Sequence, residues 1–255
     1  MNILFTICGR AGSKGLKNKN LKKMGGVPLV YYTLAAMKLY MEKHREDHVT
    51  VGLNTDSIEL QDLVRRQTIL GEIELIQRKP ELAGDAVAKV DVIKDTYMSL
   101  LSKSSFDIVI DLDITSPLRR VADIENVVCE YRKDSAYDLV FSVVAARRSP
   151  YFNMVEQKES KFYGKICESH FTARQQAPKA YELNASIYAY RPEFLESVIQ
   201  KTILDYHCGI SLMPDFLVLD IDSEEDFEKM EYLIPYFAQR DEGLREVLHC
   251  ALSND

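Results

Sequence analysis

Short, almost wholly apolar runs alternate with stretches of helical period through the first half of this chain, and that alternation leaves few folds open. Residues 3–8, Val49–Leu53, Ile73–Gln77 and Phe106–Leu112 read as strands. Between them, residues 28–42, 57–69 and 86–101 carry apolar side chains at helical spacing, as in Val90, Ile93, Tyr97 and Leu100. Pro28 suits the first position of the first helix. Strands that are apolar on both faces belong to sheets covered by helices on both sides. The expected fold is therefore α/β, with a mostly parallel, doubly wound, Rossmann-like sheet. Ligands of such sheets sit outside the carboxyl ends of the strands. The loop after the first strand, Asn54-Thr55-Asp56 and Asp111-Leu112-Asp113 should share that rim.

With 255 residues there is room for one large domain, or a domain and a small subdomain. The pattern changes after about residue 145. Arg147–Tyr181 is polar, holds aromatic and basic residues, and lacks a helical period, so it is expected to be an irregular insertion or a β-rich arm. Sheet character is expected again at Leu183–Tyr190 and Phe216–Ile221. A last helix is expected over 223–238, with Ser223 as its cap and Phe227, Met230, Ile234 and Phe237 on one face. The tail, about 239–255, is open between a helix packed on the body and a subunit contact.

Composition narrows the function classes. The net charge of -7 argues against a nucleic-acid partner. No apolar run reaches membrane-spanning length, and Met1 leads straight into a strand without the pattern of a signal peptide. Cys8, Cys129, Cys167, Cys208 and Cys250 are odd in number and lack C-x-x-C spacing, which suits reduced thiols in the cytoplasm.

The run from Ile7 to Asn20 carries the clearest chemistry. Gly9, Gly12 and Gly15 let backbone amides approach an anion, and Arg10, Lys14, Lys17 and Lys19 supply counter-charge. Four cations beside three glycines point to a polyanion such as a triphosphate. The glycine spacing matches neither the Walker loop nor the dinucleotide fingerprint. A solvated basic turn is the alternative.

Asp220-Ile221-Asp222 sets two carboxylates at i and i+2 before a helix, where they can converge on Mg²⁺. An acidic helix start is the alternative. Asp111-Leu112-Asp113 repeats that spacing at a strand end, and could add a carboxylate to a metal site or bond a polyol. Thr115-Ser116-Pro117-Leu118-Arg119 reads as a rigid turn ending in a cation. Arg78 can donate to a base carbonyl, and Asp85 can cap the next helix or meet a ribose. Arg174, with Gln175, Gln176 and Asn184 nearby in sequence, suits a carboxylate ligand, with a surface ion pair as the alternative. His44 and His48 lack the glutamate of a zinc motif. His170, His207 and His249 have no evident triad partners, and Cys8 reads as a small strand-end residue.

Six stretches in order resemble the acylneuraminate cytidylyltransferases, the CMP-nonulosonic acid synthetases. They are Arg10 to Asn20, Arg78 to Asp85, Thr115 to Arg119, Arg174 to Pro178, Asn184, and Asp220 to Asp222. The resemblance covers nearly the whole chain. It implies a nucleotide-diphospho-sugar transferase type of sheet, with 1–145 and 182–255 as the catalytic domain and 146–181 as an inserted dimerisation arm. The implied reaction joins CTP to a nonulosonic acid and releases pyrophosphate. Arg10, Gly12, Ser13, Lys14, Lys19, Asn20, Arg78 and Asp85 would bind the nucleotide. Asp220 and Asp222 would hold Mg²⁺, and Arg10, Lys19 and Asp222 would serve catalysis. Asp113, Arg174, Gln175 and Asn184 would meet the sugar in a cytoplasmic homodimer. Asp113-Ile114 stands where sialic acid members have Gln-Pro, and their arm lysine is replaced near Ser149–Phe152. These departures speak against N-acetylneuraminate, and the stretches Asn2–Asn20 and Asp111–Arg119 most resemble bacterial CMP-legionaminate synthetases, which implies a legionaminic-type acid. A 3-deoxy-octulosonate synthetase is the nearest relative chemistry. A metal-dependent glycosyltransferase using Asp111 and Asp113, and a non-catalytic nucleotide sensor, are the readings from other classes.

Overall fold

A computed structural model of the chain describes residues 1–12, 15–199 and 202–253. In chain order its first half comprises β1 (Asn2–Gly9), β2 (Lys23–Met24), β3 (Val27–Pro28), α1 (Leu29–Lys43), β4 (His48–Thr55), α2 (Ile58–Arg66), β5 (Glu74–Gln77), α3 (Lys89–Leu100), β6 (Ile108–Leu112) and α4 (Val121–Lys133). There follow β7 (Leu139–Ala145), β8 (Val155–Gln157), β9 (Tyr163–Lys165), β10 (Tyr181–Tyr190), α5 (Pro192–Ser197), β11 (Cys208–Leu212), α6 (Glu224–Ala238) and α7 (Glu242–Leu252). Seven strands form one sheet in the order β11-β7-β10-β6-β1-β4-β5. Only β10 runs against its neighbours. The sheet is thus mostly parallel, as the apolar strands require.

Successive side chains of a strand point to opposite faces, and β1 shows it. Ile3, Phe5 and Ile7 join the core under α1, α4, α6 and α7, while Leu4 joins a second core with Val90, Ile93 and Tyr97 of α3 and Phe194 of α5. Burial on both faces explains why β1 and β6 are apolar throughout. Parallel pairing sets Gly9 beside Thr55 and Thr6 beside Asp111, so the ends of β1, β4 and β6 lie on one rim. Among the described residues no helix is long and apolar enough to cross a membrane.

The C-terminal half departs from the sequence pattern in one place. Phe216–Ile221 is not a strand; Asp215–Leu217 is a short 3-10 turn, and the outer strand is β11. The apolar run plugs the core instead, with Leu217 buried and Phe216 stacked on Phe237 at 4.6 Å. In β11 the usual pattern is inverted, since Gly209 and Ser211 face inward and Ile210 and Leu212 are exposed. The inversion hides it from periodicity. Helix α4 carries no conventional cap residue either. Its start is held by buried Asp123, whose carboxylate accepts from the Arg120 amide at 2.9 Å.

Ser223 caps α6, accepting from the Asp226 amide at 3.2 Å. The tail resolves as α7, packed on α1 and α6. Within 146–181 the strands β8 and β9 pair as an antiparallel hairpin that leaves Val155, Phe162 and Tyr163 exposed.

Candidate functional site

The rim of the sheet frames a cavity of about 290 Å³, close to the lower end of the size that holds small ligands. Arg10, Lys19, Asn20, Arg78, Asp85, Lys89, Asp113, Asp220 and Asp222 line it, with Cys8 and Thr115. Residues from both ends of the chain therefore meet here. Ser13 and Lys14 lie outside the described residues.

The loop after β1 is shaped by local bonds. Gly12 takes φ 71°, a left-handed conformation that suits glycine. The Ala11 amide donates to Asp56 at 2.8 Å, and the Asn20 side-chain amide donates to the Arg10 carbonyl at 3.1 Å. Gly15 passes so close to the second acidic segment that a Cβ there would stand 2.2 Å from the Asp222 carbonyl oxygen. That segment is fixed from its other side, where the amide of buried Ile221 donates to the Thr115 carbonyl at 3.0 Å. Asp220 and Asp222 flank Ile221 and both face the cavity.

The cations of the site are already engaged. Arg10 pairs with Asp85, and Lys19 Nζ donates to Asp222 Oδ1 at 2.9 Å. Arg78 is buried; its Nε and one terminal nitrogen donate to the side chain and carbonyl of Asn54 at 3.2 and 2.9 Å. Asn54 is held in turn by Asp95 at 3.1 Å. Burial pushes the Arg78 guanidinium below its ordinary value. Burial and the charge of Asp222 push the Asp220 carboxyl up. Two carboxylates that crowd one another at a cavity wall make a donor set suited to a hard divalent cation.

Asp111 and Asp113 are engaged differently. Lys89, the first residue of α3, sets its Nζ 2.6 Å from an oxygen of each. Asp113 also accepts from the amide and hydroxyl of Thr115, both at 2.9 Å. Burial pushes the Asp113 carboxyl up, but Lys89 and Thr115 outweigh it and hold it at about 2. A depressed carboxylate contributes stability above the unfolded value, about 4, and loses it as pH falls toward 2. The contribution is about 2 kcal/mol at neutral pH. Urea unfolding should show wild type more stable than Asp113→Asn by roughly that amount at pH 6, with the gap narrowing below about pH 4. A gap independent of pH contradicts the charged state.

Of the sequence candidates among the described residues, Gly12, Arg174, Gln175 and Asn184 do not line the cavity. Arg174 is exposed and donates to the Ala146 carbonyl at 2.7 Å, and Gln175 is exposed beside it. Asn184 is buried at the register break of β10, accepting from Ser142 at 2.6 Å and donating to the Leu217 carbonyl at 3.2 Å. Arg119, read as the end of a turn, is buried and donates to Asp113 and Ser186 carbonyls, both at 2.8 Å. Asn54, expected at the rim, supports Arg78, whereas Lys89 is a lining residue that periodicity did not single out. The signal for Lys89 was indirect, since two acids closing an apolar strand require a cation from elsewhere.

Residues 4–241 match the cytidylyltransferase family. Over 238 residues the chain is 35% identical to the post-translational flagellin modification protein B of Campylobacter coli, an alignment spanning 91% of this chain and 94% of that one. It is also 35% identical over 235 residues to the CMP-N,N'-diacetyllegionaminic acid synthase of Campylobacter jejuni, with 91% and 94% covered. A solved structure of CMP:2-keto-3-deoxy-manno-octonic acid synthetase complexed with CTP shares the fold, with a TM-score of 0.65 at 17% identity over 92% of this chain and 99% of that one.

Proposed function

This chain belongs to the cytidylyltransferase family, and from that premise we propose that it joins CTP to a nonulosonic acid of the legionaminic type, releasing pyrophosphate. One observation carries the reading. Asp220 and Asp222, from the far end of the sequence, line the same cavity as Arg10 and Lys19, with Lys19 bonded to Asp222 at 2.9 Å. A triphosphate along the glycine loop would meet both the cations and the acidic pair.

In the proposed reaction the anomeric hydroxyl of the sugar attacks the α-phosphorus in line, its proton passes to Asp222 and on to solvent, and pyrophosphate leaves with its bonding electrons. Such a displacement depends on positioning and on charge neutralisation. Arg10 and Lys19 exchange their carboxylate partners for phosphate oxygens, and Lys14 assists. Gly12 and Ser13 offer backbone amides, Asn20 steadies the loop, Arg78 faces the base and Asp85 the ribose. Asp220 and Asp222 would hold Mg²⁺, whose chemistry is to polarise the phosphate and acidify a bound hydroxyl. Asp113, kept ionised, accepts a hydrogen bond from the sugar.

Arg174 and Gln175 belong to the proposal through a dimer. The exposed apolar residues of the β8–β9 hairpin support a contact with a second copy, which would carry these two side chains to the partner's sugar. Asn184 then acts from beneath the strand. Five free cysteines are consistent with a cytoplasmic setting.

The test is pyrophosphate release from CTP with a panel of nonulosonic acids and 3-deoxy-octulosonate, identifying each product by mass. The expected result is a CMP-sugar with a legionaminic-type acid preferred. Preference for 3-deoxy-octulosonate reassigns the sugar, and no pyrophosphate with any acid sinks the reading.

A further inference from the structure

Arg78 is gripped by a single neighbour. Its Nε donates to the side-chain oxygen of Asn54 at 3.2 Å, and its Nη2 donates to the main-chain oxygen of the same residue at 2.9 Å. The Arg78 amide donates to the Thr55 carbonyl at 3.0 Å, which ties its backbone to the same strand end. The remaining nitrogen, Nη1, makes no hydrogen bond among the described residues, and Arg78 lines the cavity. Asn54 and Asp95 are buried and do not line it.

Asn54 stands one residue before the end of β4, and Asp95 lies on α3. Asn54 Nδ2 donates to Asp95 Oδ2 at 3.1 Å, while the other oxygen of Asp95 is 2.6 Å from Lys79 Nζ. An amide side chain accepts through its oxygen and donates through its nitrogen, whereas a carboxylate only accepts. Asp95 therefore turns the nitrogen of Asn54 toward itself, and the oxygen of Asn54 is left facing Arg78. Both oxygens that hold the guanidinium are neutral, so the grip does not cancel its charge. A carboxylate at position 54 would hold the guanidinium and neutralise it, and would also repel Asp95.

We propose that Asp95, acting through the amide of Asn54, aims Arg78 at the nucleobase and so sets the affinity for the base part of the nucleotide. This rests on the reading of Arg78 as the donor to a base carbonyl. Asp95 and Asn54 are positioning residues, since neither touches the ligand. In Asp95→Asn, Lys79 draws the oxygen of the new amide, and its nitrogen turns to Asn54. Asn54 must then rotate, which sets its own nitrogen against Nε–H of Arg78 and releases the guanidinium.

The experiment compares CTP with inorganic tripolyphosphate, which carries the charge without the base, on the full chain. For Asp95→Asn the KM for CTP should rise about tenfold, the scale of one hydrogen bond to a charged group. Turnover should stay within about twofold of wild type, as expected where binding alone is lost. The inhibition constant of tripolyphosphate against CTP should stay within about twofold as well, which a general loosening of the fold would not allow. In an Arg78→Met background, Asp95→Asn should add nothing further. An unchanged KM, equal weakening of both ligands, or an additive loss in the Arg78→Met background overturns the proposal. Asn54→Ala carries the same expectations where Asp95→Asn does not fold. A second readout needs no nucleotide. The Nε–H resonance of Arg78, assigned by its loss in Arg78→Met, should exchange with solvent at least about tenfold faster in Asp95→Asn. An unchanged rate overturns the clamp. The parent reading fails separately: if Arg78→Met leaves the KM for CTP unchanged, Arg78 does not meet the base, and the exchange of Nε–H still decides whether Asp95 holds it.

Discussion

Asp222→Asn is expected to leave the protein folded and to lower turnover by at least about 10²-fold, the lower end for a positioned acid–base or metal-binding group. The side chain is largely exposed, so its loss removes no core contact. The capping bonds of α6 run through Ser223 and Asp226 and survive the change. What is lost is one charge of the acidic pair and the ionic partner of Lys19. The measurement is steady-state pyrophosphate release at saturating CTP and Mg²⁺, beside circular dichroism of the variant. Wild-type turnover at saturating metal would remove Asp222 from the machinery.

The second large effect belongs to Gly15→Ala. A Cβ at this position meets a backbone oxygen of Asp222 at 2.2 Å, and backbone cannot swing aside as a flexible side chain does. The loop and the acidic segment must separate. Overpacking of this kind costs about 1–3 kcal/mol. Because the contact joins the loop and the acidic segment of the proposed nucleotide site, CTP affinity should fall at least about tenfold, equivalent to about 1.4 kcal/mol. Titration calorimetry with CTP and Mg²⁺ checks it. Unchanged affinity means that the two segments shift independently and that their contact has no part in binding.

Much of this architecture was legible in the residues. The apolar runs of β1, β4 and β6 locate the rim, because strands buried on both faces leave little ambiguity. The glycine loop and Asp220-Ile221-Asp222 were identifiable from residue type and spacing, although only tertiary structure brings them within bonding distance. The opposite holds where burial and polarity part company. In β11 the inward residues are Gly209 and Ser211, so no alternation of apolar side chains marks the strand. Phe216–Ile221 is apolar for packing and not for pairing. Lys89 left only an indirect signal, for another reason. A lysine at the start of an amphipathic helix looks like a solvated residue until the strand it faces is known to end in two acids.

The tie between Lys19 and Asp222 spans 203 positions of the chain, and that of Ile221 to Thr115 runs through the backbone alone. Closing so long a loop costs entropy before any contact rewards it. A growing polypeptide therefore exposes its glycine loop well before the acidic segment that completes the cavity has been synthesised. The short turn and the acids after it are plugged into the core by Leu217 and Ile221, so denaturant should silence the enzyme only as that core opens.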